Sequence, residues 1–197
     1  RAYVVDGQNG VRDPLGMHGF RLEVEAHVVM GSMTAIQNLT KCVNGAGVEV
    51  SELVLSSLAA GASLLTHTEK EMGVVLVDIG EGTTDIAIFI EGTVWYTRTL
   101  SMGGEYITND IAIGLRLPPE TAEEVKLRYV HAMMAQVAED ERFTISPYGE
   151  SAPVVVPRWK LAQIVMARSE EILENVQQEI KRSGYDGLLP AGLVLCG

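Results

Sequence analysis

The chain has 197 residues, of which 47% are hydrophobic, and its formal net charge is −11 at pH 7. This size and composition favour a packed globular protein, whereas the acidic balance argues against a nucleic-acid partner, whose phosphates need clustered Lys and Arg. No apolar run approaches the roughly 20 residues of a membrane span, and no signal-peptide pattern is present. The two cysteines, Cys42 and Cys196, have neither zinc-site nor disulfide-framework spacing and fit a reducing compartment.

The first thirty residues predict short strands separated by a turn-rich loop. Apolar and polar residues alternate over positions 21–28, which predicts a half-exposed strand. Its inward residues would be Leu22, Val24, Ala26 and Val28. We interpret this segment as the second half of a small sheet domain.

The next segment predicts helices. Residues 34–43 have apolar side chains at helical spacing after a cap at Thr34. The further predictions here are a short strand at 52–55, an Ala- and Leu-rich helix at 56–65 and a polar break at 67–72.

A carboxylate at the end of an apolar strand is the most informative feature of the chain. Residues 74–77, all Val or Leu, predict a strand buried on both faces, and Asp78 follows them with Gly80 and Gly82 just behind. A buried carboxylate is costly unless it meets a cation or hydrogen-bond donors. Glycines let the backbone approach a ligand and direct its N–H groups at it. The pattern predicts a phosphate held by backbone amides and a metal held, directly or through water, by Asp78.

No helix follows these glycines, which separates the loop from a Walker A motif or a dinucleotide fingerprint. Residues 84–90 predict a second strand, and Glu91 and Gly92 turn the chain into a third at 93–100. The loop is therefore the tip of a β-hairpin. The simpler alternative, a glycine-rich turn with an edge carboxylate, stays open on these residues alone.

Two more glycines, Gly103 and Gly104, precede a predicted helix and permit close approach by a ligand. A Pro-Pro pair ends that helix and starts another, for which Thr121 and Glu124 predict a capping box. On this second helix Glu123 and Lys126 lie one turn apart. Their simplest interpretation is a surface ion pair worth a few tenths of a kcal/mol.

Residues 139–157 predict two strands, at 142–145 and 154–156, in an antiparallel subdomain of their own. Residues 158–182 predict the longest helix. Its apolar stripe is Leu161, Ile164, Val165, Ile172, Val176 and Ile180, and its acidic face is Glu170, Glu171, Glu174 and Glu179. The acidic face argues against a membrane-surface helix. Residues 193–196 predict a buried strand.

Together these pieces resemble the FtsA family of actin-like bacterial cell-division proteins. The hairpin is similar to the second phosphate loop of the actin, Hsp70 and sugar-kinase superfamily. Residues 3–8, 13–17 and 21–27 resemble the C-terminal half of subdomain 1C, which is peculiar to the family, and the Pro-Pro-Glu-Thr-Ala-Glu-Glu-Val-Lys run at 118–126 matches in place. The resemblance covers essentially the whole chain. It implies an α/β, actin-like (ribonuclease H-like) ATPase fold, in part, with part of a small α+β 1C-type subdomain.

The resemblance implies ATP and Mg²⁺ as cofactors, with Asp78 as the catalytic residue that positions Mg²⁺ and water. The implied ATP contacts are Gly80, Glu81, Gly82 and Thr83 at the phosphates, Gly103 and Gly104 at the ribose and phosphates, Glu123 and Lys126 at the adenosine, and Gly197 at the start of the adenosine loop. Glu81 departs from the family, which usually has glycine there. A second carboxylate could bind Mg²⁺ through water or repel phosphate, and the sequence leaves both open.

The resemblance also implies a function and partners. An FtsA protein would polymerise and tether filaments of the tubulin-like protein FtsZ to the inner face of the cytoplasmic membrane at the division site. Arg168 and Glu171 match the positions that receive the FtsZ C-terminal tail. Other divisome proteins would bind through the 1C-type segment, and a C-terminal helix outside this chain would provide membrane attachment.

The implied subdomains are the C-terminal half of 1C at 1–33 and the end of the first lobe (1A-like) at 34–72. The second lobe would comprise a nucleotide-binding part (2A-like) at 73–116 and 186–197 and an outer part (2B-like) at 117–185. Both ends of the chain are typical of cuts through a larger protein. Because the first phosphate loop of the superfamily would lie outside the chain, we expect this piece alone to bind ATP weakly or not at all.

Two alternatives remain at this point. One is a related actin-like adaptor of pilus assembly or of a microcompartment, from which the 1C-type segment would distinguish an FtsA protein. The other is an enzyme of the superfamily, a phosphotransferase or an Hsp70-type ATPase, although no catalytic base or substrate pocket is visible in these residues. Whether the protein hydrolyses ATP is left open.

Overall fold

The computed structural model describes residues 2–11 and 13–197 of the chain. They divide into two compact units. Unit 1 comprises the described residues up to Leu76, with Ala87–Thr97 and Leu188–Val194, and unit 2 comprises Val77–Ile86, Arg98–Gly187 and Leu195–Gly197. Among the helices of this described part, none has both the length and the apolar content needed to cross a bilayer.

Unit 1 begins with a three-stranded antiparallel sheet. Its strands β1 (Ala2–Val5), β2 (Gln8–Val11) and β3 (Leu22–Glu25) lie in the order β2-β1-β3. The predicted strand at 21–28 is therefore present but shorter. Its predicted inward residues are wrong, since Leu22, Val24 and Val28 are 55%, 51% and 76% exposed and Ala26 is also exposed. The reason is that β3 lies at the edge of this small sheet, and neither of its faces is covered within the described residues.

Three helices follow: α1 (Met33–Gly45), α2 (Ser56–Leu64) and α3 (His67–Met72). The N-cap of α1 is Ser32 instead of Thr34, and the Ser32 hydroxyl accepts from the Ala35 N–H at 3.4 Å. Residues 52–55, predicted as a strand, form no regular element. Leu53 and Val54 there are more than half exposed, so the apolar pattern reflects no buried face.

The predicted polar break at 67–72 is wrong, because these residues form α3. Its first turn is held by a capping box, in which the Glu69 N–H donates to the Thr66 hydroxyl at 3.3 Å and the Thr66 N–H donates to the Glu69 carboxylate at 2.7 Å. The spacing Thr-x-x-Glu is the sequence signature of this cap. The sequence therefore contained a signal for the start of α3, although residues 67–72 show no apolar periodicity.

The remaining elements are strands β4 (Val74–Ile79), β5 (Thr84–Ile90) and β6 (Thr93–Leu100), helices α4 (Gly104–Leu115) and α5 (Pro119–Tyr129), strands β7 (Arg142–Ile145) and β8 (Val154–Pro157), helix α6 (Arg158–Ser183) and strand β9 (Leu193–Cys196). A short 3₁₀ helix occupies Met134–Gln136.

A four-stranded sheet of order β6-β5-β4-β9 carries the predicted hairpin. Residues 74–77 of β4 are at most 2% exposed, which confirms the buried strand. Glu91 and Gly92 join β5 to β6 with φ angles of +53° and +75°, the left-handed geometry of a two-residue hairpin turn. The predicted strand at 193–196 is confirmed, but its predicted burial is wrong, since Leu193 and Leu195 are 46% and 57% exposed. Their strand, β9, lies at the edge of the sheet.

The core of unit 2 is shared by α4, α5, α6 and the strand pair β7-β8. Its buried members are Ile111, Leu117, Ala122, Val125, Phe143, Ile145, Val156, Leu161 and Val165. Strands β7 and β8 pair antiparallel as predicted. They do not form a subdomain of their own, because Phe143, Ile145 and Val156 belong to the same buried cluster as the helices.

The boundary between α4 and α5 differs from the prediction. Helix α4 ends at Leu115, followed by Arg116 in the left-handed conformation, with φ +54°. Helix α5 begins at Pro119 without a side-chain cap. The predicted capping box is wrong because Thr121 is already the third helical residue, whereas a capping hydroxyl must precede the first turn.

Helix α6 confirms the predicted long helix with an inward apolar stripe, but one acidic residue was assigned to the wrong face. Glu179 is 5% exposed. Its carboxylate pairs with Arg182 at 2.6 Å and with Arg98 at 3.8 Å. It follows Val176 by three residues and Ile172 by seven, so helical spacing alone places it on the buried stripe.

Candidate functional site

The hairpin tip, residues 80–83, connects β4 to β5 and presents unused backbone donors. The Gly80 N–H donates to the Thr83 carbonyl at 2.8 Å, which closes the tip. The amides of Glu81, Gly82 and Thr83 donate to no oxygen in the part of the chain that the structure describes. A Cβ at Gly82 would meet no protein atom within 4 Å. The tip therefore offers three adjacent amides and an open approach, the features that an anion site requires.

The N-terminus of α4 is fastened to this tip by the backbone. The Gly104 N–H donates to the Gly80 carbonyl at 2.9 Å, and the Glu105 N–H donates to the Glu81 carbonyl at 2.8 Å. A Cβ at Gly103 would overlap the carbonyl oxygens of the same two tip residues. Gly103 thus meets protein backbone, and two amides of the first helical turn, which otherwise lack partners, orient the hairpin tip.

A side-chain hydrogen bond also connects the hairpin to the residues just before α4. Thr84, the first residue of β5, is fully buried, and its hydroxyl donates to the Met102 carbonyl at 2.8 Å. Met102 directly precedes Gly103 in the chain. The hairpin tip and the start of α4 are consequently fixed to each other on two sides.

Helix α5 adds a charged pair next to this junction. Lys126 Nζ lies 2.7 Å from Glu123 Oε2, 2.8 Å from Thr108 Oγ1 and 3.3 Å from the Gly104 carbonyl oxygen. Thr108 Oγ1 in turn lies 2.5 Å from Glu123 Oε2. Hydrogen bonds from Lys126 and then from Thr108 lower the pKa of the Glu123 carboxyl below its ordinary value. The predicted ion pair is present, and Thr108 is a member that the sequence pattern did not identify.

Asp78 lies half-buried near the end of β4, two residues before Gly80 of the tip. Next to it, Gly197 has a φ of +135°, and a Cβ there would overlap the Ile79 backbone. Burial, and then the negative charge of Asp78, raise the pKa of the Cys196 thiol. The ends of β4 and β9 thus approach each other so closely that position 197 requires glycine.

The donor set around Asp78 suits Mg²⁺ better than a metal enclosed by protein. No cluster of three or more His, Cys, Asp or Glu side chains occurs in residues 2–11 and 13–197. Mg²⁺ commonly keeps several waters and takes one or two carboxylates together with substrate phosphates. Asp78 and the exposed Glu81 fit that limited role.

Gly104 is the residue that joins the parts of the candidate site. Its N–H bonds to the hairpin tip at Gly80, and its carbonyl bonds to Lys126 of α5. All the sequence-predicted ligand residues, which are Asp78, Gly80, Glu81, Gly82, Thr83, Gly103, Gly104, Glu123, Lys126 and Gly197, belong to unit 2. The hairpin tip and the helix that begins at Pro119 therefore both contact Gly104.

Arg168 and Glu171 of α6 belong to a different cluster. The Arg168 guanidinium bonds both carboxylate oxygens of Asp110 on α4, at 2.6 and 3.0 Å, and bonds Glu171 Oε2 at 2.6 Å. It also lies over the Tyr106 ring, 5.4 Å from the centroid. The Asp110 hydrogen bonds raise the pKa of Arg168 above its ordinary value. Asp110 and Tyr106 were not predicted, because their pairing with α6 spans about sixty positions of sequence.

Comparison with known proteins decides the family. A family model described as "Cell division protein FtsA" matches residues 75–191, more than half of the chain. A second, described as "SHS2 domain inserted in FTSA", matches residues 1–30. The chain belongs to the FtsA family. FtsA membership confirms the resemblance inferred from the hairpin, the 1C-type residues and the Pro-Pro run.

Individual FtsA proteins agree with this assignment. The chain is 48% identical to "Cell division protein FtsA" of Pseudomonas aeruginosa over 195 residues, covering 99% of this chain and 47% of that protein. It is 43% identical to the Bacillus subtilis protein of the same description, covering 100% of this chain and 44% of that protein. The chain thus spans about half the length of these FtsA relatives.

A solved structure supports the fold. "Crystal structure of MreB 5 of Spiroplasma citri bound to AMPPNP" matches with a TM-score of 0.71 and 19% identity, covering 85% of this chain and 54% of that one. At this identity the match concerns the fold alone. The predicted actin-like α/β ATPase fold is confirmed for this part of an FtsA chain.

Proposed function

We propose that this chain supplies one wall of the nucleotide site of an actin-like, ATP-binding cell-division protein. The observation that carries the proposal is the pair of hydrogen bonds made by Gly104. Its N–H donates to the hairpin tip, and its carbonyl accepts from Lys126. A glycine-rich turn without a ligand role would not need three adjacent unused amides at its tip near a partly buried ion pair. The MreB 5 relative is described as bound to AMPPNP, which supports the same ligand class here.

The residues present fit a Mg-nucleotide. The phosphates would be held by the amides of the hairpin tip, since these donors are unused and unobstructed. Asp78 would hold Mg²⁺ directly or through water, and the metal would neutralise phosphate charge. Glu123 and Lys126 would face the adenosine, Gly103 and Gly104 would lie near the ribose and phosphates, and Gly197 would open the adenosine loop. Glu81 adds a carboxylate at the tip, where it would either bind Mg²⁺ through water or oppose the phosphates.

Titration of the complete protein that contains this chain tests the proposal. We expect Asp78→Asn to weaken Mg-ATP binding about tenfold, since one metal ligand loses its charge, and to leave ATP binding in EDTA within about twofold of wild type. Asp140→Asn is the matched control, because Asp140 is an exposed acid of the same unit outside the site. Absence of wild-type binding to ATP, with or without Mg²⁺, would contradict the proposal.

We further propose the cell-division role that the family description indicates: the complete protein polymerises and tethers FtsZ filaments to the cytoplasmic face of the membrane at the division site. In this view residues 1–33 form a 1C-type surface for other divisome proteins. Residues 34–72 belong to the first lobe, while 73–116 with 186–197 and 117–185 are the inner and outer parts of the second lobe. Membrane attachment would need a helix outside this chain. Family membership favours this role over a pilus-assembly or microcompartment adaptor.

The FtsZ tail is proposed to bind at Arg168 and Glu171. Arg168→Glu is a poor test, because a carboxylate there would face Asp110 and disturb the contact between α4 and α6. Glu171→Gln is sharper, since the side chain of Glu171 is 50% exposed, and Glu174→Gln, exposed on the same helix, is its control. We expect only Glu171→Gln to change the affinity of an FtsZ tail peptide measured by fluorescence anisotropy. Equal affinities for both variants and wild type would remove this assignment.

The enzyme alternative is tested by turnover of the complete protein. Kinases typically turn over at roughly 1–100 s⁻¹. A protein for which ATP serves as a structural ligand is expected to hydrolyse it far more slowly. Steady-state phosphate release within the kinase range would favour an enzyme of the superfamily over an adaptor.

A further inference from the structure

The Lys126 ammonium is held by three protein groups. It donates to Thr108 Oγ1 and to the Gly104 carbonyl and forms an ion pair with Glu123 Oε2. Its side chain is only 18% exposed, whereas that of Glu123 is 42% exposed. The carboxylate is therefore the more accessible partner of this pair for a nucleotide.

Thr108 lies between the two charges. Its hydroxyl accepts from the Lys126 ammonium at 2.8 Å and donates to Glu123 Oε2 at 2.5 Å. A helical threonine ordinarily bonds back to the carbonyl four residues earlier, and here that contact, to Gly104, is longer at 3.3 Å. A charged acceptor makes the stronger bond, so the Thr108 proton points at Glu123.

Both of these bonds converge on the same carboxylate oxygen. Glu123 Oε2 pairs with the Lys126 ammonium and accepts the Thr108 hydrogen bond, while no described residue donates to Oε1. Two donors on one oxygen fix the plane of the carboxylate and leave the other oxygen as an acceptor. Because Thr108 is 7% exposed, its hydroxyl exchanges little with water and holds this orientation.

Resting on the proposed nucleotide function, we infer that Thr108 is a positioning residue, which aims Glu123 Oε1 at the hydroxyl or amino donors of the nucleoside. Thr108 itself does not touch the ligand. Its removal should weaken recognition of the nucleoside and spare the triphosphate, which the hairpin tip holds. The readout is therefore the ratio of affinities for ATP and for inorganic tripolyphosphate.

The test uses Thr108→Val in the complete protein, because valine keeps the shape and removes the hydroxyl. We expect ATP affinity to fall about tenfold and tripolyphosphate affinity to stay within about twofold of wild type, both by calorimetric titration with Mg²⁺. Thr108→Ser keeps the hydroxyl and should restore the wild-type ratio. Thr40→Val is the matched control, since Thr40 is a part-buried helical threonine of unit 1 whose hydroxyl donates to the Ile36 carbonyl at 2.9 Å.

The outcomes separate the inference from the proposed function. A wild-type protein that binds neither ligand would overturn both. If the wild-type protein binds ATP, two results would overturn the role of Thr108 alone. One is a wild-type ratio of ATP to tripolyphosphate affinity in Thr108→Val, and the other is a ratio in Thr108→Ser as low as that expected for Thr108→Val. If Thr108→Val does not fold, Thr108→Cys answers the same question, since a thiol is a weaker hydrogen-bond partner and should give an intermediate ratio.

Discussion

Two charged clusters use the same helix for different purposes. Thr108 on α4 meets Lys126 and Glu123 of α5, and Asp110, two residues later, meets Arg168 of α6. In the first cluster a compact ammonium is shared among three acceptors and a carboxylate oxygen stays available. In the second, a planar guanidinium bonds both oxygens of Asp110 and one of Glu171.

The difference shows how the type of cation suits a cluster either to holding helices together or to supporting a ligand site. Arg presents a rigid fork that matches a carboxylate in two places, so it suits a fixed joint between helices. Lys is a point charge on a flexible stem, so its geometry depends on surrounding groups such as Thr108. We interpret the Arg168 cluster as mainly a joint and the Lys126 cluster as a support for ligand recognition.

The largest effect is expected from removing the joint. Arg168→Met should lower the free energy of unfolding by roughly 2–3 kcal/mol, because it leaves Asp110 part-buried without its cation. Urea denaturation measures this value. Arg168→Met combined with Asp110→Leu should recover most of the loss. A single variant as stable as wild type would show that the joint contributes nothing.

Removing the other cation should cost less stability. Lys126→Met is expected to destabilise by about 1–2 kcal/mol, since Glu123 is 42% exposed and water replaces part of the lost interaction. The same urea titrations compare the two clusters directly. If Lys126→Met proved more destabilising than Arg168→Met, the division between joint and support would be reversed.

A pH titration sharpens the contrast further. Lys126 and Thr108 lower the folded-state pKa of Glu123, so its stabilising contribution is fully present above the pKa of the unfolded chain. It is lost as pH falls through the lowered folded pKa. Because Glu123 is 42% exposed, we expect less than about 1 kcal/mol. The stability difference between wild type and Glu123→Gln should therefore shrink on acidification, and a constant difference from pH 7 to pH 3 would contradict this account.

The smallest effect on stability is expected from weakening the contact between Arg168 and Glu171. Glu171→Gln should change the free energy of unfolding by less than about 0.5 kcal/mol, because a half-exposed pair one helical turn apart contributes little. Thermal unfolding of this variant and of Arg168→Met compares the loss of the Glu171 contact with the loss of the whole Arg168 cluster. A loss as large as that of Arg168→Met would mean that Glu171, and not Asp110, holds the guanidinium.

Local patterns predicted much of the molecule, and their errors have identifiable causes. The buried run at 74–77 and the turn at Glu91 and Gly92 depend on residues adjacent in the chain, and both predictions are confirmed. The capping box at Thr66 and the buried position of Glu179 also had local signals, in the Thr-x-x-Glu spacing and in the helical spacing from Val176. Predictions based on the pattern of apolar residues missed both. The pairings of Thr108 and Asp110 carried no local signal, since their partners lie at least 15 positions away.

The sequence by itself determined the hairpin, the long helix α6 and the resemblance to the FtsA family, because these depend on residue types and their spacing within short stretches. Only the tertiary structure decided that Gly103 faces protein backbone, that β3 and β9 are exposed edges, and that Lys126 contacts Thr108 and Gly104 as well as Glu123. Those outcomes depend on which distant segments occupy the same space. Packing and hydrogen-bond competition decide that question, and no local pattern records it.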